Sequence, residues 1–321
     1  MTRAELRALA EATDFRPDTL EKVVRLVGIL SRLESHELCR GNWLLKGGTA
    51  INLFYLDVPR LSVDIDLNFV GTENVAELAE ARRLFESALA ACCAREGCSV
   101  KRAPEEHAGG KFRLRYASVL GSEQNLEVDV SYVARVPLFG VKRRPCALPV
   151  ESSAIPMLTL EELAAGKFVA LLSRGAARDF FDVFSLLKLA PDLPTNNHFR
   201  ISVVCQAGAS RSDLRKLKAL PKLHTRDIER QVIPLLRAGS AASSDADKLV
   251  LRLNEEVQQA VGKVVAWSEG ELRFLDRFLE YGEIEPGHLT EDETLQARIR
   301  KQPMLLWKQQ NVRRRRGPAS R

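Results

Sequence analysis

Residues 61–70 constrain the fold more than any other segment, because apolar and polar residues alternate in it without a break. The apolar positions are Leu61, Val63, Ile65, Leu67 and Phe69. The polar positions are Ser62, Asp64, Asp66 and Asn68. Such alternation is typical of a β-strand with one buried face. Residues two apart on a strand project from the same face, roughly 6.5–7 Å from each other, so the two aspartates are predicted to lie side by side.

The aspartate pair suggests a metal site next to a phosphate site. Two carboxylates at this separation repel each other unless a cation lies between them, and hard oxygen ligands suit Mg²⁺, with Mn²⁺ as a second possibility. Gly47 and Gly48 lie a short distance upstream, within Lys46-Gly47-Gly48-Thr49. A backbone without Cβ atoms can approach an anion such as a triphosphate closely. The two features together predict a site for a metal–nucleotide complex.

A third aspartate is predicted to join the pair. Residues 111–120 and 126–133 flank a polar turn and have the pattern of a β-hairpin. In the second arm Asp129 belongs to the polar face, because apolar residues alternate with polar ones there. A neighbouring strand could therefore place Asp129 beside Asp64 and Asp66, where it would complete the metal site or act as a base.

The remaining patterns indicate how the chain is organised. Helical spacing covers residues 4–12, 18–38 and 75–96, and a short buried strand is predicted at 43–45, followed by a helix from Thr49 to about Leu56. Prolines punctuate residues 137–156, and from Thr159 the pattern is helical almost to the end. These patterns predict an α/β (α+β) core with a mixed sheet and a mainly α-helical C-terminal domain.

The expected domain limits follow from this organisation. N-terminal helices occupy residues 1–35 and pack on the core, which covers 36–150. The helical domain covers 151–312, and a basic tail covers 313–321.

Composition indicates a globular protein of a reducing compartment. Of the 321 residues, 45% are hydrophobic and 28% are charged, and no run reaches the ~18 apolar residues of a membrane span. The six cysteines include no C-x-x-C pair and no zinc spacing with the five histidines, which favours reduced, buried thiols. We therefore expect a cytoplasmic protein without a membrane partner.

The positive charge is concentrated at the C-terminus. Residues 301–321 contain seven basic and no acidic side chains, so the net charge of +6 leaves about −1 for the rest of the chain. The run Arg313–Arg316 has two interpretations. It is either a solvated tail or a contact for the phosphates of RNA.

The ordered set of motifs resembles AbiEii, the nucleotidyltransferase-like toxin family of type IV toxin–antitoxin systems, which includes the mycobacterial MenT toxins. The resemblance extends from about residue 40 to about residue 312. The motifs that carry it are Lys46-Gly47-Gly48-Thr49-Ala50, Ser62-Val63-Asp64-Ile65-Asp66, Glu127-Val128-Asp129, the segment from Lys167 through Arg174, Arg178 and Asp179 to Asp182, and Pro303-Met304-Leu305-Leu306-Trp307-Lys308.

The resemblance implies an NTP substrate and assigns roles to the motifs. Asp64, Asp66 and Asp129 are the expected metal ligands and catalytic carboxylates. The expected nucleotide-binding residues are Gly47, Gly48, Thr49, Ser62, Lys167, Arg174 and Arg178. Lys167 is the expected cation for the triphosphate, and Lys167 and Asp182 are both expected to join the catalytic set. Ser62 has two further interpretations, a modification site that blocks the nucleotide pocket or simple strand polarity.

The distance between Lys167 and Asp182 predicts a helix break. In an unbroken helix the two residues would be ~22 Å apart, too far for one site. Gly175 lies between them, so a break near residues 174–176 is expected to fold Asp182 back toward Lys167. The alternative is that Arg178 and Asp179, with their neighbours, form structural ion pairs.

Three classes of function fit these residues. The leading hypothesis is transfer of a nucleoside monophosphate to an acceptor hydroxyl, most plausibly the 3′ end of tRNA, which would stop translation and growth. The same chemistry could act on a protein, including the toxin itself or its antitoxin, by nucleotidylation or phosphorylation. A nucleotide-binding regulator without catalysis is the third. The resemblance also implies an AbiEi-like antitoxin from a neighbouring gene.

Overall fold

Two units that interleave along the sequence make up the part of the chain described by the computed structural model, residues 1–102, 109–217, 219–240 and 244–316. Within those residues, the first unit contains 1–135, 141–159 and 224–250. The second unit contains 136–140, 160–223 and 251–316.

The strands and α-helices of the described residues are as follows. The strands are β1 Trp43–Lys46, β2 Asp64–Phe69, β3 Ser99–Arg102, β4 Gly109–Ala117, β5 Glu123–Ser131, β6 Val141–Arg144 and β7 Ile155–Leu158. The helices are α1 Arg3–Thr13, α2 Pro17–Ser35, α3 Gly47–Ala50, α4 Leu78–Arg95, α5 Leu160–Arg174, α6 Ala177–Leu189, α7 Asn197–Ala209, α8 Thr225–Gln231, α9 Ala246–Val265, α10 Glu269–Asp276, α11 Glu293–Arg300 and α12 Pro303–Arg316.

The first unit is built around a mixed sheet. Its seven described strands lie in the order β3-β4-β5-β2-β1-β7-β6. The neighbours β2/β5 and β1/β7 are parallel, and the other neighbouring pairs are antiparallel. The mixed sheet, the helical C-terminal part and the hairpin of β4 and β5 confirm the predicted fold class.

Strand β2 is the middle strand of the seven described strands, and its apolar residues are buried. Ile65 and Leu67 have no exposed surface, and Phe69 pairs with Trp43 of β1. The strand begins at Asp64, three residues later than the alternation predicted. The backbone N–H of Leu61 donates instead to the carbonyl oxygen of Leu235 at 2.8 Å, which removes it from the ladder of the sheet.

Two strands occupy the segment that the prolines marked as a domain boundary. Strand β7 pairs with β1 through Leu45 and Met157, and β6 pairs with β7. Residues 224–250 also group with the first unit, although the sequence assigned them to the helical domain. The N–H of Ala238 donates to the carbonyl oxygen of Asp14 there, a contact between residues far apart in the sequence.

The second unit is helical, and aromatic residues occupy its interior. Phe168 packs edge-on against Phe199, with 5.0 Å between the ring centroids. Phe274 and Phe278 stack within a second cluster that also contains Leu305 of α12. None of the helices in the described ranges combines the length and the apolarity that a membrane crossing requires. All six cysteines are buried and unpaired, as expected.

A buried carboxyl in the second unit makes its stability depend on pH. Glu162 of α5 accepts hydrogen bonds from the backbone N–H groups of Leu138 (2.9 Å) and Phe139 (3.2 Å). Burial is the largest influence and raises the pKa of Glu162 to about 7, against the lowering effect of these two bonds. The folded protein therefore holds a proton on Glu162 at pH values where the unfolded chain has released it.

We expect the free energy of unfolding to fall as the pH rises from about 4.5 to about 7, by up to roughly 3 kcal/mol from this group. Denaturant titrations at pH 5, 6, 7 and 8 measure the effect. The variant Glu162→Gln should lose this pH dependence, whereas Glu161→Gln, one residue away and partly exposed, should keep it. If the free energy of unfolding changes with pH equally in the two variants, Glu162 is not the group responsible.

Candidate active site

Three aspartates share one face of the sheet in the first unit. Strands β2 and β5 are parallel, and their register places Asp66 opposite Asp129 and Asp64 opposite Glu127. Because side chains alternate along a strand, all three predicted aspartates project from the same face. Asp129 is exposed, and Asp64 and Asp66 are half-buried. The structure thus brings the predicted carboxylate set together.

Gly47 lies directly against this face. Its φ is +74°, in the left-handed region that favours glycine. A Cβ atom at this position would lie 2.9 Å from Cγ of Asp66 and would overlap the carboxylate oxygen. Glycine is therefore required here both by the backbone angle and by the space that Asp66 occupies.

Two predicted site hydroxyls lie inside the first unit. The Thr49 hydroxyl donates to the carbonyl oxygen of Asp64 at 2.5 Å, and the hydroxyls of Thr49 and Ser62 are 3.0 Å apart. Thr49 is fully buried and Ser62 is 7% exposed. The carbonyl of Gly48 accepts a bond from the Asn52 amide at 2.9 Å. The Thr49 bond attaches the glycine turn to Asp64, the first residue of β2, and the Asn52 bond joins the turn to the helix that follows. The observed contacts of both hydroxyls are internal.

Replacing Gly47 with alanine should disturb Asp66 and the turn together. The left-handed backbone alone costs about 1–2 kcal/mol for a residue with a Cβ atom. Gly41 offers a matched control, because its φ is +78° and an added Cβ would meet nothing within 4 Å. Nucleotidyl transfer and thermal unfolding of both variants measure the difference. We expect similar backbone strain in both and at least a tenfold loss of activity in Gly47→Ala alone; equal activity would disprove the role of the contact with Asp66.

The donor set of this face fits a hard divalent cation. The carboxylates of Asp64, Asp66 and Asp129 supply oxygen ligands, and Mg²⁺ is commonly held by one or two carboxylates together with phosphate oxygens and water. Among the described residues, no group of three or more His, Cys, Asp or Glu side chains is close enough to hold a metal ion by itself. Phosphate oxygens of a substrate would therefore have to complete the coordination of an ion on this face.

In the second unit, Lys167 lies in a cluster of ion pairs. Its Nζ is 3.0 Å from Oδ1 of Asp179 and 2.8 Å from Oδ2 of Asp182. Both aspartates are fully buried, and the Lys167 side chain is 11% exposed. Arg174 binds Asp179 with two nitrogens, Nε at 2.6 Å and an Nη at 2.9 Å. The cluster therefore pairs two cations with two carboxylates.

The predicted helix break builds this cluster. Helix α5 ends at Arg174, Gly175 has φ +61°, and α6 begins at Ala177. The break turns the chain so that Asp182 meets Lys167, which confirms the expected geometry. Arg178 is exposed on α6.

Asp179 is held in its ionised form by its partners. Burial is the largest influence and acts to raise the pKa of Asp179, but the hydrogen bond from Arg174 and the charges of Lys167 and Arg174 outweigh it and lower the pKa. The structural ion pair that the sequence left open thus exists for Asp179, with Lys167 and Arg174 as its partners.

The family comparison decides what this chain is. The model for the nucleotidyl transferase AbiEii toxin of type IV toxin–antitoxin systems matches residues 28–311. The chain belongs to the AbiEii family. It is therefore a nucleotidyltransferase toxin, as the resemblance implied. A search of curated protein sequences found no significant match.

Two solved structures are similar to this AbiEii protein. MenT4, a nucleotidyltransferase toxin from Mycobacterium tuberculosis, is similar with a TM-score of 0.55 and 17% identity over 93% of this chain and 99% of its own. JHP933 from Helicobacter pylori has a TM-score of 0.49 and 19% identity, over 78% of this chain and 94% of its own.

Lys46 of this AbiEii protein is not among the site residues expected from the sequence motifs. Strand β1 pairs with β2 so that Lys46 lies opposite Asp66, on the carboxylate face. A lysine directly before a glycine turn is a weak signal by itself. Only the register of the two strands, which the sequence does not specify, brings its charge beside the aspartates.

Proposed function

We propose that this AbiEii toxin transfers a nucleoside monophosphate from an NTP to an acceptor hydroxyl, the 3′ end of tRNA. The observation that carries the proposal is the register that sets Asp66 opposite Asp129, with Asp64 on the same face and Gly47 in contact with Asp66. In nucleotidyl transfer the acceptor hydroxyl gives its proton to a carboxylate or to water and bonds to the α-phosphorus, the bond from that phosphorus to the β-phosphate oxygen breaks, and pyrophosphate leaves. Charge on the phosphate oxygens has to be neutralised during this step. A row of carboxylates beside a bare glycine backbone suits both needs.

Asp64, Asp66 and Asp129 would hold Mg²⁺, or Mn²⁺ in its place. The bound metal supplies neutralisation of charge on the phosphate oxygens and activation of the attacking hydroxyl. The backbone N–H groups of Gly47 and Gly48 would bind phosphate oxygens, because neither residue has a side chain of its own. Thr49 and Ser62 would contribute by fixing the position of this turn on β2.

Lys167 would bind the triphosphate as a point charge. Its ammonium group is held by Asp179 and Asp182, so Asp182 would act as a positioning residue for Lys167. The Arg174 side chain is 62% exposed although it binds Asp179, and it remains accessible to an anionic ligand. Arg178, also exposed, would add a second guanidinium on the same segment.

Membership of the family and the charge of the C-terminus support an RNA acceptor. Arg313, Arg314 and Arg315 are exposed at the end of α12. The side chain of Arg316 and residues 317–321 lie outside the described part of the chain. Modified tRNA ends would not accept amino acids, so translation and growth would stop.

A labelling assay tests the proposal. The purified protein is incubated with tRNA, with total RNA and with cell lysate, each with one of four α-labelled NTPs and with Mg²⁺, Mn²⁺ or a chelator. We expect metal-dependent label at the 3′ end of tRNA. Label that appears only on protein, with all four NTPs tested, would replace the RNA acceptor with a protein acceptor. Absence of any label from the α-phosphate and, in a parallel reaction, from a γ-labelled NTP would favour a nucleotide-binding regulator, whereas label from the γ-phosphate alone would indicate phosphorylation.

The toxin–antitoxin description of the family also implies a protein partner. We propose an AbiEi-like antitoxin encoded by a neighbouring gene. Co-expression with that gene should restore growth to cells that express the toxin, and unchanged toxicity would argue against it.

A further inference from the structure

The sheet face that carries the aspartates continues outward as a row of cations. Strand β4 pairs with β5 so that Lys111 lies opposite Asp129 and Arg113 lies opposite Glu127. Two residues farther along β4, Arg115 lies opposite Asn125. On the edge strand β3, Lys101 lies opposite Arg113. We call this set the basic strip; it comprises Lys101, Lys111, Arg113 and Arg115.

The basic strip is exposed because the opposite face of β4 forms the core. Phe112, Leu114 and Tyr116 are at most 3% exposed, and the residues between them face away from that core. The side chains of Lys111 and Arg113 are 44% and 66% exposed. Lys101 and Arg115 are also exposed. Four long cationic side chains thus extend from one side of the sheet.

Among the residues that the structure describes, Glu127 is the carboxylate that forms ion pairs with the strip. Glu127 lies 2.7 Å from Nζ of Lys111 and 3.7 Å from Nε of Arg113. Within the described part of the chain, neither Lys101 nor Arg115 has an ion-pair partner. Like charges directly opposite each other on neighbouring strands destabilise a sheet, and Lys101 and Arg113 form such a pair. The repulsion between these cations lowers the stability of the sheet, and a bound polyanion would relieve it.

We propose that the basic strip binds the sugar–phosphate backbone of the acceptor RNA, an inference that rests on the proposed nucleotidyl transfer to RNA. Neighbouring strands are about 4.8 Å apart, so the strip begins one strand from Asp129 and reaches the sheet edge one strand farther. A strand of RNA along this path has its end at the carboxylates. The exposed positions of β3 and β4 on this face hold no large apolar residue, whereas protein interfaces have apolar cores.

The test compares three triple variants with equal loss of charge. The strip variant is Lys101→Gln, Arg113→Gln, Arg115→Gln; Lys111 is kept because it adjoins Asp129. The control is Arg3→Gln, Arg7→Gln, Arg230→Gln, which removes exposed cations from α1 and α8. The third is Arg313→Gln, Arg314→Gln, Arg315→Gln at the end of α12. Thermal unfolding of each variant verifies the fold.

Binding is measured without catalysis, by fluorescence anisotropy with a single-stranded RNA that ends in a 3′-deoxynucleotide, over a series of salt concentrations. At about 0.1 M salt we expect the Kd for RNA to be at least tenfold higher in the strip variant than in the control. Each lost phosphate contact lowers the slope of log K against log salt by about 0.7 on single strands, so the slope should fall by about 2. Equal binding by the strip variant and the control would overturn the proposal.

The remaining outcomes separate this inference from the proposed function. If only the third variant loses RNA binding, the C-terminal arginines bind RNA and the strip does not. If the strip variant binds RNA normally but loses a protein partner, the strip is a protein interface and the inference is wrong. If the wild type labels no RNA, the acceptor proposal fails, and the anisotropy measurement still decides the strip. In steady-state transfer, KM for RNA should rise in the strip variant while KM for the NTP stays constant.

Discussion

Replacement of Asp66 by asparagine should reduce nucleotidyl transfer at least a thousandfold while the fold is retained. Asp66 lies opposite Asp129 in the β2–β5 pair, and its carboxylate occupies the position where a Cβ atom of Gly47 would lie. Asparagine keeps the size of the side chain but removes the negative charge that a divalent cation requires. Charge stabilisation of several kcal/mol is lost with it, and about 4 kcal/mol corresponds to a thousandfold change in rate.

A carboxylate farther along the same face, Glu123, provides the control for this prediction. Glu123 is exposed at the start of β5, six residues or about 20 Å from Asp129. The variant Glu123→Gln changes the charge of the protein by the same amount and should keep wild-type transfer. Single-turnover transfer from a labelled NTP and far-UV circular dichroism measure both variants. If Asp66→Asn keeps more than a tenth of wild-type activity, Asp66 is not part of the catalytic set.

The carboxylate face could be predicted because it depends on local pattern. Asp64 and Asp66 share a face through the period of a strand, and Asp129 was placed by the same alternation in β5. The break at Gly175 followed from helix length and from the freedom of glycine. Each of these inferences needed only a few consecutive residues. Their relation to one another came from the ordered set of family motifs.

Features that depend on distant pairing could not be predicted. Strand β6 is Val-Lys-Arg-Arg and exposed throughout, so it shows no alternation that would distinguish it from a loop. Strand β7 is four buried residues that include Pro156, and only its partners β1 and β6 identify it as a strand. The position of Lys46 opposite Asp66 and of the basic strip beside Asp129 is likewise a matter of register.

The surroundings of Lys167 also depend on packing that the sequence does not specify. The sequence predicted that Asp182 would approach Lys167, and the structure adds Asp179 as a second carboxylate on the same ammonium group. Because both carboxylates are buried, the cluster serves the stability of the second unit whatever ligand Lys167 binds. Asp179 binds both Lys167 and Arg174, so its replacement tests the contribution of the whole cluster to stability.

Replacement of Asp179 by asparagine should lower the free energy of unfolding by about 1.5–3 kcal/mol, because charge-assisted hydrogen bonds to Lys167 and Arg174 are lost, while Lys167 keeps its ion pair with Asp182. Asparagine nearly preserves the volume, so the loss reports charge and hydrogen bonding to Lys167 and Arg174. The matched control is Glu80→Gln, which removes one partner of the exposed pair with Arg83. Exposed pairs contribute little, so this control should unfold at the same denaturant concentration as the wild type.

The pH dependence gives this prediction a second, independent measurement. The lowered pKa of Asp179 means that its contribution to stability is complete above the ordinary pKa of an aspartate and is lost as the pH falls through the lowered value. The difference in stability between the wild type and Asp179→Asn should therefore be largest near neutral pH and shrink in acid. Denaturant titrations between pH 7 and pH 3 measure it. A difference that stays constant over this range would mean that the ionised form of Asp179 does not stabilise the fold, and a loss below 1 kcal/mol at neutral pH would mean that the cluster is held by other contacts.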